Sequence, residues 1–114
     1  MQVLATSPHE AVDGVALIHN QLAAVYSHSA NHLGLAIEHL HEAMCCYEAT
    51  GNQYMAGGVR NNLAWMLLRA GRLAEARDFA QSAPAFLNAC SIPAPELIRS
   101  AESCLKAAEE GLGV

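Results

Sequence analysis

The sequence predicts an all-α fold made of antiparallel helical hairpins. Three observations carry that expectation. First, 22 of the 114 residues are alanine, against four isoleucines and six valines. Alanine is the strongest helix former, and the β-branched residues that favour strands are scarce. Second, apolar residues recur at i, i+3, i+4 and i+7 in several separate stretches. Third, glycine and proline fall between those stretches, where helices end and begin. An apolar fraction of 53% excludes a disordered chain.

The first helix is expected over residues 8–28. Ser7-Pro8-His9-Glu10 reads as a capping box with proline at the first helical position. Val12, Val15, Leu22 and Val25/Tyr26 then form a stripe of near-helical spacing. Residues 27–31 read as a turn. The second helix starts near His32, and Leu33, Ala36, Ile37, Leu40, Ala43, Met44 and Tyr47 give the cleanest stripe in the chain. Gly51 ends it as a left-handed C′ residue. Asn52 caps a third helix carrying Val59, Leu63, Met66/Leu67 and Ala70, with Gly57-Gly58 weakening its first half. Gly71 is a second C′ glycine. The fourth helix begins at Leu73 and reaches Phe86/Leu87, with Pro84 expected to bend it or remove one hydrogen bond. Residues 91–95 break the chain. A fifth helix over residues 95–110 follows, stopped by Gly111. Links of three to five residues make consecutive helices antiparallel neighbours.

The chain repeats itself. Residues 20–26 align with residues 61–67 at an offset of 41, pairing Asn20 with Asn61 and Leu22 with Leu63. In the following helices Ala36, Leu40 and Ala43 align with Ala76, Ala80 and Ala83 at an offset of 40. The one-residue difference falls in a turn, where an insertion costs little. One domain is therefore expected, with hairpins over residues 8–51 and 52–91 and a capping helix over 95–110. A single hairpin cannot bury its apolar stripe, so the units must stack.

Asn61-Asn62-Leu63-Ala64-Trp65, then Ala70-Gly71-Arg72, then Glu75-Ala76-Arg77 with Ala80 and Ala83, resembles the tetratricopeptide repeat family. The resemblance covers about residues 12–90. The period near 40 exceeds the family's usual 34, and Ala30-Asn31-His32 stands where a glycine-containing turn is common. The resemblance implies a right-handed stack of hairpins, closed by a solvating fifth helix. It also implies a concave groove lined by the first helix of each unit, which binds a peptide or helix of a partner protein. Family positions place Leu17, Asn20, Ala24, Ser27 and His28 on that groove in the first unit. In the second they place Gly58, Asn61, Trp65, Leu68 and Arg69. Asn62 matches an asparagine with which some members clamp a peptide carboxylate. Their lysine positions hold other residues here, and Ala24 replaces a further asparagine, so that clamp is not expected. Longer repeats of this kind are similar to those of bacterial signalling and transcription regulators.

The candidate binding residues are thus Asn20, His28, Asn61, Asn62, Trp65 and Arg69. Asparagine amides can hold an extended peptide backbone through a paired donor and acceptor. Trp65 offers a flat apolar platform and Arg69 can pair with a carboxylate. Each also has a scaffold reading: inter-repeat packing for Trp65, bonding within the scaffold for Asn20 and Asn61, a solvated charge for Arg69. Arg60, Arg69, Arg72 and Arg77 cluster around the second hairpin, where pairing three apart with Glu75 and Asp78 accounts for them.

Charge and motif content exclude other functions. The net charge is −5 and there is one lysine, which argues against nucleic acid as a partner. No apolar run approaches the roughly 18 residues of a membrane span and no signal peptide is visible, so the cytoplasm is expected and the membrane is not. Cys45, Cys46, Cys90 and Cys104 show no zinc-type spacing. His28 and His32 straddle a turn, while His39 and His41 point to different faces, so neither pair makes a metal site. No metal or cofactor is expected. No nucleophile elbow or phosphate loop is present, and Cys45-Cys46 beside His41 is the sole arrangement resembling a reactive thiol site. The expectation is a non-enzymatic interaction module, with a self-assembling homodimer or a portion of a larger repeat-containing regulator as the alternatives.

Residues 1–50 hold all six histidines, five acids and no lysine or arginine. Below about pH 6 the histidines would largely cancel the acids, so association through this half is expected to depend on pH.

Overall fold

Gly51 and Gly71 turn the chain. Both adopt positive φ, 74° and 78°, a region that costs glycine nothing. At the first, Gly51 N–H donates to Glu48 O and Asn52 N–H to Tyr47 O. At the second, Gly71 N–H donates to Leu68 O and Arg72 N–H to Leu67 O. Each pair satisfies carbonyls that a helix end leaves without partners, and redirects the chain. Asn52 then opens the next helix, its Oδ1 accepting from Met55 N–H at 3.3 Å.

The computed structural model describes residues 8–113. It is all-helical: α1 Pro8–Tyr26, α2 Leu33–Ala49, α3 Gln53–Arg69, α4 Leu73–Ala89 and α5 Pro95–Leu112, with one 3-10 turn at Ala30–His32. Consecutive helices pack on one another, and α3 also meets α5. The result is two layers, with α1, α3 and α5 in one and α2 and α4 in the other. The thinnest dimension, 19 Å, is about two helix diameters. Helix α1 makes no extended contact with α4, so the bundle is not closed. Ala36 and Ala76, forty residues apart, are both fully buried, as are Ala43 and Ala83.

Several boundaries differ from expectation. Helix α1 stops at Tyr26, and the 3-10 turn precedes α2. Helix α4 runs on to Ala89, through Pro84, which has no N–H to donate, as expected. Gly111 does not stop α5: Leu73 Cδ1 comes within 2.7 Å of where its Cβ would stand, and Gly113 at φ 78° ends the helix. Ser7 of the expected capping box lies outside the described residues.

Two faces of α1 differ in surroundings. Val15, Leu22 and Val25 are exposed, whereas Ala16 and Ala23 face inward. Alanines permit a close approach of α1 to α2 that larger side chains would prevent. The contact is fixed at one end by Asp13. Its Oδ1 accepts from Thr50 Oγ1 at 2.6 Å and its Oδ2 from Asn52 Nδ2 at 3.0 Å, tying α1 to the α2–α3 turn.

The adjacent glycines of α3 differ in surroundings. A Cβ at Gly57 would meet Leu87 Cγ at 2.7 Å and Phe86 Cβ at 3.2 Å, whereas one at Gly58 would meet nothing within 4 Å. Gly58→Ala should therefore stabilise the fold by about 0.5–1 kcal/mol through helix propensity. Gly57→Ala should destabilise it by about 1–3 kcal/mol through overpacking. Urea unfolding of the two variants checks the opposite signs.

Candidate functional site

A cleft of about 240 Å³ separates α1 from α3. Asn20, Ala24 and Ser27 form one wall; Asn62, Trp65 and Met66 form the other; Ala23 and Leu40 of α2 lie at its base. The walls combine two amides and a hydroxyl with an indole and a thioether. The floor is apolar, since Ala23 and Leu40 are buried. Such a surface offers backbone-type hydrogen bonding beside an apolar platform. Ser27 Oγ donates to Ala24 O at 2.7 Å, which shapes the α1 wall near its C-terminal end.

The structure brings together Asn20, Asn62 and Trp65 among the candidate residues. It does not bring the other three into the cleft lining. Asn61 is 4% exposed and faces α5, where its Nδ2 donates to Ser100 Oγ at 3.2 Å. Its Oδ1 is buried and finds no partner among the described residues. The reason is rotation: one residue along α3 is about 100°, so Asn61 and Asn62 cannot both face the cleft. His28 is exposed beyond the end of α1, and Arg69 is exposed with its Nη1 3.7 Å from Met66 Sδ. Trp65 serves both roles, lining the cleft while its Nε1–H donates to Ser100 Oγ at 2.9 Å. Ser100 was not legible as a site residue, since a single serine in a helix carries no motif.

Behind the cleft, Arg60 joins three helices. Its Nε and Nη2 donate to Glu48 Oε2 of α2 at 3.1 and 2.9 Å, and its Nη1 donates to Ser82 Oγ of α4 at 2.8 Å. The guanidinium carbon lies 4.5 Å from the Phe86 ring centroid and 5.6 Å from that of Phe79. Local pairing does account for Arg72, which meets Glu75 at 2.6 Å. It does not account for Arg60, and the sequence held the clue: α3 contains no acidic residue.

His19, His39, Tyr26 and His32 form a row of rings. His19 Nδ1 and His39 Nδ1 are 2.8 Å apart, and Tyr26 stacks on His39 at 5.6 Å between centroids. The Nδ1–Nδ1 bond needs a donor and an acceptor, so at least one of the two atoms must carry no proton. Among the described residues no three His, Cys, Asp or Glu side chains are grouped to hold a metal ion.

Two of the thiols are shifted by their surroundings. His41 sets its ring edge-on to Phe79 at 5.5 Å. Burial, then the Glu42 carboxylate, pushes the Cys46 thiol up from its ordinary range. Burial pushes Cys104 up to about 11. Both shifts disfavour the thiolate. Among the described residues no helix is long and apolar enough to cross a membrane. Neither the family models nor the curated proteins nor the solved structures compared with this chain match it.

Two outcomes are expected. Arg60→Ala should cost about 2 kcal/mol in urea unfolding. Arg60→Lys should recover less than half of that, because an ammonium cannot reach Glu48 and Ser82 while stacking on Phe86. In native thiol labelling at pH 8, Cys45, which is exposed, should react first. Cys104 should react only as fast as the chain globally unfolds.

Proposed function

We propose that the chain is a non-enzymatic interaction module, acting in the cytoplasm, that holds an extended peptide or a helix of a partner protein in the α1–α3 cleft. The carrying observation is that Asn20 and Asn62 face one cleft from opposite walls, with Trp65 beside them and an apolar floor below. Two amides across a gap can each donate and accept along a peptide backbone, independent of its side chains. Trp65 supplies desolvated contact area, the commonest source of binding energy in small interfaces. The likeness of residues 61–83 to the tetratricopeptide motif supports the same reading, since that family binds partners along the first helices of its hairpins. The raised thiols and the open bundle give a nucleophilic enzyme no support.

Trp65 is the single tryptophan of the chain, so its emission reports on the cleft. Peptides selected from a displayed random library should shift that emission on binding. Asn62→Ala should weaken the selected peptides about tenfold, the loss of one to two hydrogen bonds, with helicity unchanged by circular dichroism. Asn20→Ala should act alike from the opposite wall. Selected peptides that leave the Trp65 emission unchanged at saturation would overturn the assignment.

A further inference from the structure

The outer face of α1 has an apolar seam that no other described residue covers. Val15, Ile18, Leu22 and Val25 are exposed by 48, 57, 37 and 66%. Their spacing is three, four, three, which keeps side chains in line along a helix that pairs with another helix. The repeat shows what such a face is for. At the offset of 41 these positions correspond to Ala56, Val59, Leu63 and Met66 of α3. Ala56, Val59 and Leu63 are buried in one cluster with Leu40 and Tyr47 of α2, and Met66 packs against it. The face that α3 buries against a neighbouring helix is bare on α1.

We propose that this seam pairs with the same seam of a second copy, forming a two-fold dimer through α1. Charge selects that occupant. No Asp, Glu, Lys or Arg occurs from Gly14 to His28, so two like faces meet without repulsion in a chain of net charge −5. An α2-type helix from another hairpin fits less well. On α3 the rim residue facing α2 is Arg60, which pairs with Glu48. Its counterpart on α1 is His19, already turned back to His39. Head-to-tail stacking fits less well too, because the far end of the molecule presents Arg99, Glu102, Lys106 and Glu110, all exposed on α5. Only the isologous arrangement covers apolar surface with apolar surface, and it closes at two subunits.

The area is of the right order. The four side chains expose roughly 350 Å², within the range of the largest apolar patch on a monomer, which is often functional. Two such patches supply about 700 Å², and their rims must bring the total to the roughly 1,200 Å² at the lower end for a specific interface. The α1–α3 cleft stays open in this arrangement, because its wall residues Asn20 and Ala24 lie on a different side of α1.

Sedimentation equilibrium of the full chain over about 1–500 µM tests this. The expected result is a reversible monomer–dimer equilibrium that Ile18→Glu and Val25→Glu each shift at least tenfold towards monomer. Leu17→Glu, at an exposed apolar residue off the seam, should leave it unchanged. A monomer throughout the range overturns the proposal, as does dimerisation that survives both seam substitutions or falls equally with Leu17→Glu. Isotope-filtered NMR of the unsubstituted chain gives a second reading that depends on no variant. Intermolecular contacts among the Ile18, Leu22 and Val25 methyls are expected, and intermolecular contacts confined to other residues overturn the dimer as drawn.

Discussion

Alanines without exposed surface stand at the helix crossings, among them Ala16, Ala36, Ala43, Ala64, Ala76 and Ala83. A methyl group lets two helix backbones come close, and the larger side chains then fill the space on either side of the crossing. Leu63, Leu67 and Leu87 do this with no appreciable exposure. The chain has little other material for a core, since only 5% of it is aromatic. Close approach therefore replaces bulk, and substitution at a crossing would force the helices apart over their whole length.

Close packing fixes distances but leaves the helices free to slide, and a few polar ties remove that freedom. Asp13 pins α1 to the α2–α3 turn. Arg60 pins α3 to both α2 and α4. Ser100 accepts from Asn61 and Trp65 and so pins α5 to α3. The bonds of Asp13, of Arg60 to Ser82 and of Ser100 are partly buried, where hydrogen bonds are strongest and unpaired groups costliest. Together they hold α1 and α3 at the separation that leaves the cleft, and they set the orientation of Trp65 within it.

The two ends of the molecule differ in kind. At α5 the outer face that meets water carries Arg99, Glu102, Lys106 and Glu110. At α1 the outer face is apolar and free of charge. A repeat architecture makes this contrast legible, because the same position can be read in two settings. Leu63 shows what Leu22 would do with a helix beside it.

Much of the fold was legible from local signals. Gly51 and Gly71 mark the turns because positive φ selects glycine, and Asn52 marks a helix start because a short amide can cap one. The α2 stripe reads correctly because every large apolar residue on it except the half-buried Leu33 and Met44 is fully covered. Of the candidate residues, Asn20, Asn62 and Trp65 line one cleft, whereas Asn61 turns to α5. The stripe of α1 does not by itself say what covers it. Periodicity shows that a helix has an apolar face, but not whether a neighbour covers it, and α1 carries two such faces, one small and one large. The sequence by itself determined the helices and the turns at Gly51 and Gly71, since those depend on neighbours within a few residues. Only the tertiary structure decided which face of α1 turns inward, which asparagine meets the cleft and which acid meets Arg60. Those outcomes depend on the rotation of each helix against its neighbours, set by contacts between residues up to 39 positions apart.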